Sequence, residues 1–69
     1  MLQADSANVK WDTERKGWIV RVTVGEEVMR RTLPNTSAST GEDVLRSLAV
    51  ETALADGYEV DPGKIQIVH

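Results

Sequence analysis

A chain of 69 residues without cysteine has room for one domain, in which only about 60% of the unfolded surface can be buried, and it has no disulfide or thiolate metal site to reinforce a thin core. No apolar run approaches the roughly 20 residues needed to cross a bilayer, and Met1-Leu2-Gln3-Ala4-Asp5 has neither the basic nor the apolar part of a secretory signal; a cytoplasmic protein without membrane contact is expected. The net charge of −3 argues against non-specific nucleic-acid binding, but Lys10, Arg15, Lys16, Arg21, Arg30 and Arg31 all fall in the front half, so a local basic face remains open.

Residues 1–7 are small, polar and without periodicity, which predicts a flexible N-terminal tail ahead of a single domain over 8–69. Asn8-Val9-Lys10-Trp11-Asp12 alternates and reads as a first strand. The polar run from Asp12 to Gly17 is a hairpin loop into Trp18-Ile19-Val20-Arg21-Val22-Thr23-Val24. In that central strand Trp18, Val20, Val22 and Val24 share one face, while Ile19, Arg21 and Thr23 share the other, the pattern of a sheet with one side covered and one side wet.

A third strand is predicted from Val28 to Leu33, and the length of the preceding turn sets its register. A two-residue II′ turn at Gly25-Glu26 places Val22 opposite Met29, Val20 opposite Arg31 and Trp18 opposite Leu33, turning Met29 and Leu33 inward. A three-residue loop exchanges the faces and buries less hydrocarbon. The favoured register also sets Arg21 beside Arg30, an unfavourable pairing that an acid or a ligand must relieve.

Pro34 ends the strand, and residues 35–41 form a flexible connection. Ser39 with Glu42, or Thr40 with Asp43, has capping-box spacing before a helix over about 41–56, closed by Gly57 in a left-handed conformation. Val44, Leu45, Leu48, Ala49, Thr52 and Ala55 form the predicted seat of this helix on the sheet. Val50 and Leu54 fall almost opposite. They are either surface apolar residues covered by neighbouring chain, or a face for a protein partner or a second copy. Asp61-Pro62-Gly63-Lys64 fits a type II turn, and Lys64 to Val68 is a closing strand. The expected fold is therefore α+β: a three-stranded antiparallel meander, one helix packed on one face, then a final strand, in the order β-β-β-α-β.

Little in the chain suggests catalysis, a metal or a cofactor, and none is expected. His69, the single histidine, is the last residue, and the hydroxyl residues over 36–40 have no base placed beside them. Trp18 belongs to the core. Trp11 either packs under the helix or at the sheet edge, or offers a stacking platform beside Lys10. Lys10, Arg21 and Arg30 on the wet face are either solvated cations or contacts for an anion or a nucleic acid.

With these elements placed, the layout resembles the N-terminal domain of HicB-type antitoxins, a partial RNase H-like β-β-β-α-β fold. The similar segments are Val9-Lys10-Trp11-Asp12 through Lys16-Gly17-Trp18-Ile19-Val20, then Ser39-Thr40-Gly41-Glu42-Asp43-Val44-Leu45, and Ala55-Asp56-Gly57-Tyr58-Glu59-Val60-Asp61-Pro62. Where that family has a Pro/Gly-rich segment after its second strand, this chain has Val22-Thr23-Val24-Gly25. The resemblance implies a class only: a noncatalytic module that binds a protein and self-associates, with no contact residue carried over. The function expected from the sequence is thus protein binding or self-association, with Val50 and Leu54 as interface candidates; the alternative is nucleic-acid binding through Lys10, Trp11, Arg21 and Arg30.

Overall fold

A computed structural model describes residues 2–68; His69 lies outside the described residues. The elements in chain order are strands β1 (Leu2–Gln3), β2 (Ser6–Asp12), β3 (Gly17–Val24) and β4 (Glu27–Thr32), helix α1 (Glu42–Ala55), strand β5 (Tyr58–Glu59), a 3-10 turn (Pro62–Lys64) and strand β6 (Ile65–Val68). The main sheet has the order β4-β3-β2-β6, with the meander antiparallel and β6 parallel to β2. The α+β order of meander, helix and final strand is therefore the observed architecture.

The Gly25-Glu26 turn has the two-residue length on which the register depended. Gly25 takes φ +60, a region closed to most side chains, and Val22 pairs with Met29, Arg21 with Arg30 and Val20 with Arg31. The amide of Leu33 continues this ladder by donating to the Trp18 carbonyl at 2.8 Å. Because side chains alternate, the register sorts the sheet into two faces. On the covered face lie the rows Ile65-Ala7-Val22-Met29 and Ile67-Val9-Val20-Arg31, and the pair Trp11-Trp18. Ala7, Val9, Trp18, Val20, Val22, Leu33 and Ile65 are buried there with Leu45, Ala49 and Ala53 of α1.

Residues 2–7 depart from the expected tail. Leu2–Gln3 pairs in parallel with Tyr58–Glu59, and the Ala4 amide donates to the Glu59 carbonyl at 2.8 Å. Asp5 ties the segment to the meander, its amide donating to the Thr23 carbonyl and its carboxylate accepting from the Gly25 amide, each at 2.8 Å. Ala4 and Ala7 are buried. The segment has no hydrophobic periodicity because backbone groups and two methyls do its anchoring.

The helix also sits differently from its predicted stripe. Leu45, Ala49 and Ala53, one residue in four, form the buried line, whereas Val44 is 53% exposed and Ala55 is exposed. Ala53 was outside the predicted stripe. The rotation follows from what the helix covers: it packs chiefly on β2, β5, β6 and the 3-10 turn. Alanines at 49 and 53 let the backbone approach these strands closely, and Val44 is left outside. Gly57, at φ +89, terminates the helix as expected.

Two local expectations need correction. Gly41 is the residue at the helix start, and no side chain caps it. The Thr40 hydroxyl instead accepts from the Ser37 amide at 2.8 Å, while the Ser37 carbonyl accepts from the Thr40 amide at 3.1 Å and from Trp18 Nε1 at 2.7 Å. The 33–41 connection is thereby fastened over the Trp18 indole. Its hydroxyls serve the loop, not the helix. At Asp61-Pro62-Gly63-Lys64 the chain makes a 3-10 turn, not a type II turn: Asp61 Oδ1 accepts from the Gly63 amide at 2.9 Å, and Gly63 has no positive φ.

Candidate functional site

No element of the described fold covers the other face of the sheet. Its side chains stand in three rows: Ser6-Thr23-Val28, then Gln66-Asn8-Arg21-Arg30, then Val68-Lys10-Ile19-Thr32. Lys10, Arg21 and Arg30 come from three adjacent strands and are all exposed. Arg21 and Arg30 are direct cross-strand neighbours, which puts their Cβ atoms about 5 Å apart. Lys10 is opposite Ile19, one diagonal from Arg21, at about 7–8 Å.

Among the described residues no carboxylate forms an ion pair with these three cations. Asp12, at its border, accepts from the Glu14 and Arg15 amides at 2.9 and 3.2 Å, which holds the β2–β3 turn, and lies 3.9 Å from Arg15 Nε. Among the described residues the other ion pair is Arg31 with Asp56, at 3.1 Å, on the edge of the covered side. Lys10, Arg21 and Arg30 have no carboxylate within 4.0 Å among the described residues. An open hollow of about 530 Å³ lies over this region, lined by Lys10, Ile19, Arg21, Arg30 and Thr32 and by the turn from Asp12 to Arg15.

The remaining candidates are dispersed. Trp11 borders the same hollow, but its ring meets Trp18 edge-on, with centroids 5.4 Å apart and planes at 70°. Cross-strand pairing places both tryptophans on the covered side, so Trp11 reaches the hollow from its border and not from the rows that carry the three cations. Val50 is half-buried and packs against the core, lining a shallow depression with Arg46 and Pro62. Leu54 is 39% exposed. The rotation of α1 thus draws Val50 partly inward and leaves Leu54 at the surface.

Sequence reasoning could anticipate the cations, since alternation and the favoured turn put Lys10, Arg21 and Arg30 on one side. The β4 edge joins the same surface. Leu33 donates to Trp18, so by alternation Glu27, Met29 and Arg31 direct their backbone groups toward β3, while those of Val28, Arg30 and Thr32 point away from the sheet. One of these outward groups is engaged: Arg31 Nη1 donates to the Arg30 carbonyl at 2.8 Å. No polar or charged side chain is buried among the described residues, and no group of three or more His, Cys, Asp or Glu is placed to hold a metal. No described helix is long and apolar enough to cross a membrane. Comparison with protein-family models, with curated proteins and with solved structures returned no match to this chain.

Proposed function

We propose that the protein is a noncatalytic binding module whose working surface is the uncovered sheet face, and that its partner is a protein presenting negative charge there. The observation that carries this reading is the cluster of Lys10, Arg21 and Arg30, with no carboxylate within 4.0 Å among the described residues, in a chain of net charge −3. Placing Arg21 beside Arg30 costs a few tenths of a kcal/mol to about 1 kcal/mol, and an incoming carboxylate reverses the sign of that interaction. An arginine fork also matches a carboxylate in shape. This reading moves the interface from Val50 and Leu54 on the helix to the sheet. It keeps the class that the resemblance to the HicB-type antitoxin N-terminal domain implies.

Nucleic-acid binding is the second reading, favoured by the same cations around an open hollow. The small number of cations, three, weighs against it, since neutralisation of many phosphates supplies most non-specific affinity. So does the edge-on packing of Trp11 against Trp18, which leaves its ring less free to stack on a base.

Titration with poly-L-glutamate and, separately, with a thymidine oligonucleotide at low salt tests the choice. Poly-L-glutamate is expected to shift the amide resonances around Lys10, Arg21 and Arg30, and R21E/R30E is expected to abolish those shifts with unchanged circular dichroism. A response to the oligonucleotide alone transfers the function to nucleic acid. A response to neither rejects the sheet face as the site.

A further inference from the structure

We infer that the β4 edge accepts an acidic, extended segment of the partner protein as a fifth strand, continuing the sheet as β(partner)-β4-β3-β2-β6; this deepens the reading above and rests on it. Two features coincide at this edge. Val28, Arg30 and Thr32 direct their backbone amides and carbonyls away from β3, as an added strand requires. The same three residues carry their side chains on the cationic face, so a strand docked by its backbone delivers every second side chain to that face, one of them into the row that ends in Arg21-Arg30.

Charge selects the occupant. Carboxylates at period two on the added strand stand beside Arg30, with Arg21 one strand further in. The alternate side chains fall on the covered side next to half-buried Met29, where small apolar groups fit. A second copy of this chain is the poorer occupant. Antiparallel pairing of two β4 strands over their full length, Val28 against Thr32, sets Arg30 opposite its own copy and lines up four guanidiniums in one row. The β6 edge lacks this selection, since Gln66 and Val68 are its contributions to the outer face.

Arg31 acts as the edge's present closure. Its guanidinium donates to the outward Arg30 carbonyl at 2.8 Å and is held from behind by Asp56 at 3.1 Å. An incoming strand replaces that hydrogen bond with a backbone amide, leaving the pair with Asp56 intact.

The experiment uses the full chain and a capped seven-residue peptide of alternating valine and glutamate, with a valine-lysine peptide as the charge control, read by amide hydrogen exchange. The glutamate peptide is expected to slow exchange at Val28, Arg30 and Thr32 by at least about tenfold, leaving Met29 and Arg31 little changed because β3 already holds them. N-methylation of one alternate set of peptide residues is expected to abolish that protection, and methylation of the other set to leave it; which set is active reports parallel or antiparallel docking. Shifts at Arg21 and Arg30 without this alternating protection overturn strand addition but leave the sheet face as the site. No shift at all overturns both. Protection of the three amides in the free protein that grows with its concentration assigns the edge to a second copy and also overturns the inference, as does equal protection by the valine-lysine peptide.

Discussion

The two faces of the sheet follow from the same alternating residues and carry opposite consequences. The covered face holds Val9, Trp18, Val20 and Val22 under Leu45, Ala49, Ala53 and the 33–41 connection; stability resides there. The bare face holds Lys10, Arg21 and Arg30 with no carboxylate within 4.0 Å among the described residues, and it gives up some stability to keep its charges close. A thin domain with one finished side and one unfinished side divides these tasks by period-two alternation. The division predicts that substitutions on the covered side lower stability, while those on the bare side change binding at little or no cost to the fold.

The largest expected effect is at Trp18, buried, paired edge-on with Trp11 and hydrogen-bonded to the Ser37 carbonyl. Trp18→Ala should cost about 3–5 kcal/mol, comparable to the whole stability of about 3–5 kcal/mol that one small core supplies, so urea denaturation should find the variant largely unfolded at 25 °C. The orientation of α1 is tested next. Ala53→Leu overpacks a fully buried position and should cost about 1–3 kcal/mol, whereas Val44→Ala, at an exposed site, should stay within about 0.5 kcal/mol. The reverse order in thermal melts would restore the seat predicted from periodicity.

Gly57→Ala forces a side chain into φ +89 and should destabilise by about 1–2 kcal/mol. Asp56→Asn removes the partner of Arg31 at 3.1 Å and should cost at most about 1 kcal/mol, a difference that shrinks as salt is raised. The smallest effect has the opposite sign. Arg30→Glu replaces the like-charge pair with Arg21 by an opposite-charge pair, and should stabilise by a few tenths of a kcal/mol to about 1 kcal/mol. Binding of poly-L-glutamate should be lost in the same variant. Stabilisation with binding retained would break the division of tasks between the faces.

The meander, its register and the identity of the wet face were legible because each rests on alternation plus one turn. Gly25 offered the positive φ that a two-residue connection needs, and the apolar content of Val28 to Leu33 favoured the even loop. The three cations of the candidate site followed from the same parity. The segment at 2–7 was not legible, because its contacts are backbone hydrogen bonds and the burial of two alanines, neither of which leaves a periodic trace. Ala53 was missed for a related reason: a methyl scores weakly as hydrophobic, yet it permits the close approach that orients the helix. The Thr40 hydroxyl had the spacing of a cap but met a nearer partner in the Ser37 amide.

Local chemistry within a few residues thus determined the meander, favoured the register that gives its strand residues their sides, and set the extent and termination of the helix. Tertiary structure decided how α1 is rotated, that the amino-terminal residues complete the core beside β5, and that Val50 turns inward while Lys10, Arg21 and Arg30 stay uncovered. The physical reason is range. Alternation and turn geometry act between neighbours in the chain, whereas the rotation of a helix and the exposure of a face depend on which distant segments compete for the same apolar surface, and that competition is settled only when the whole chain packs.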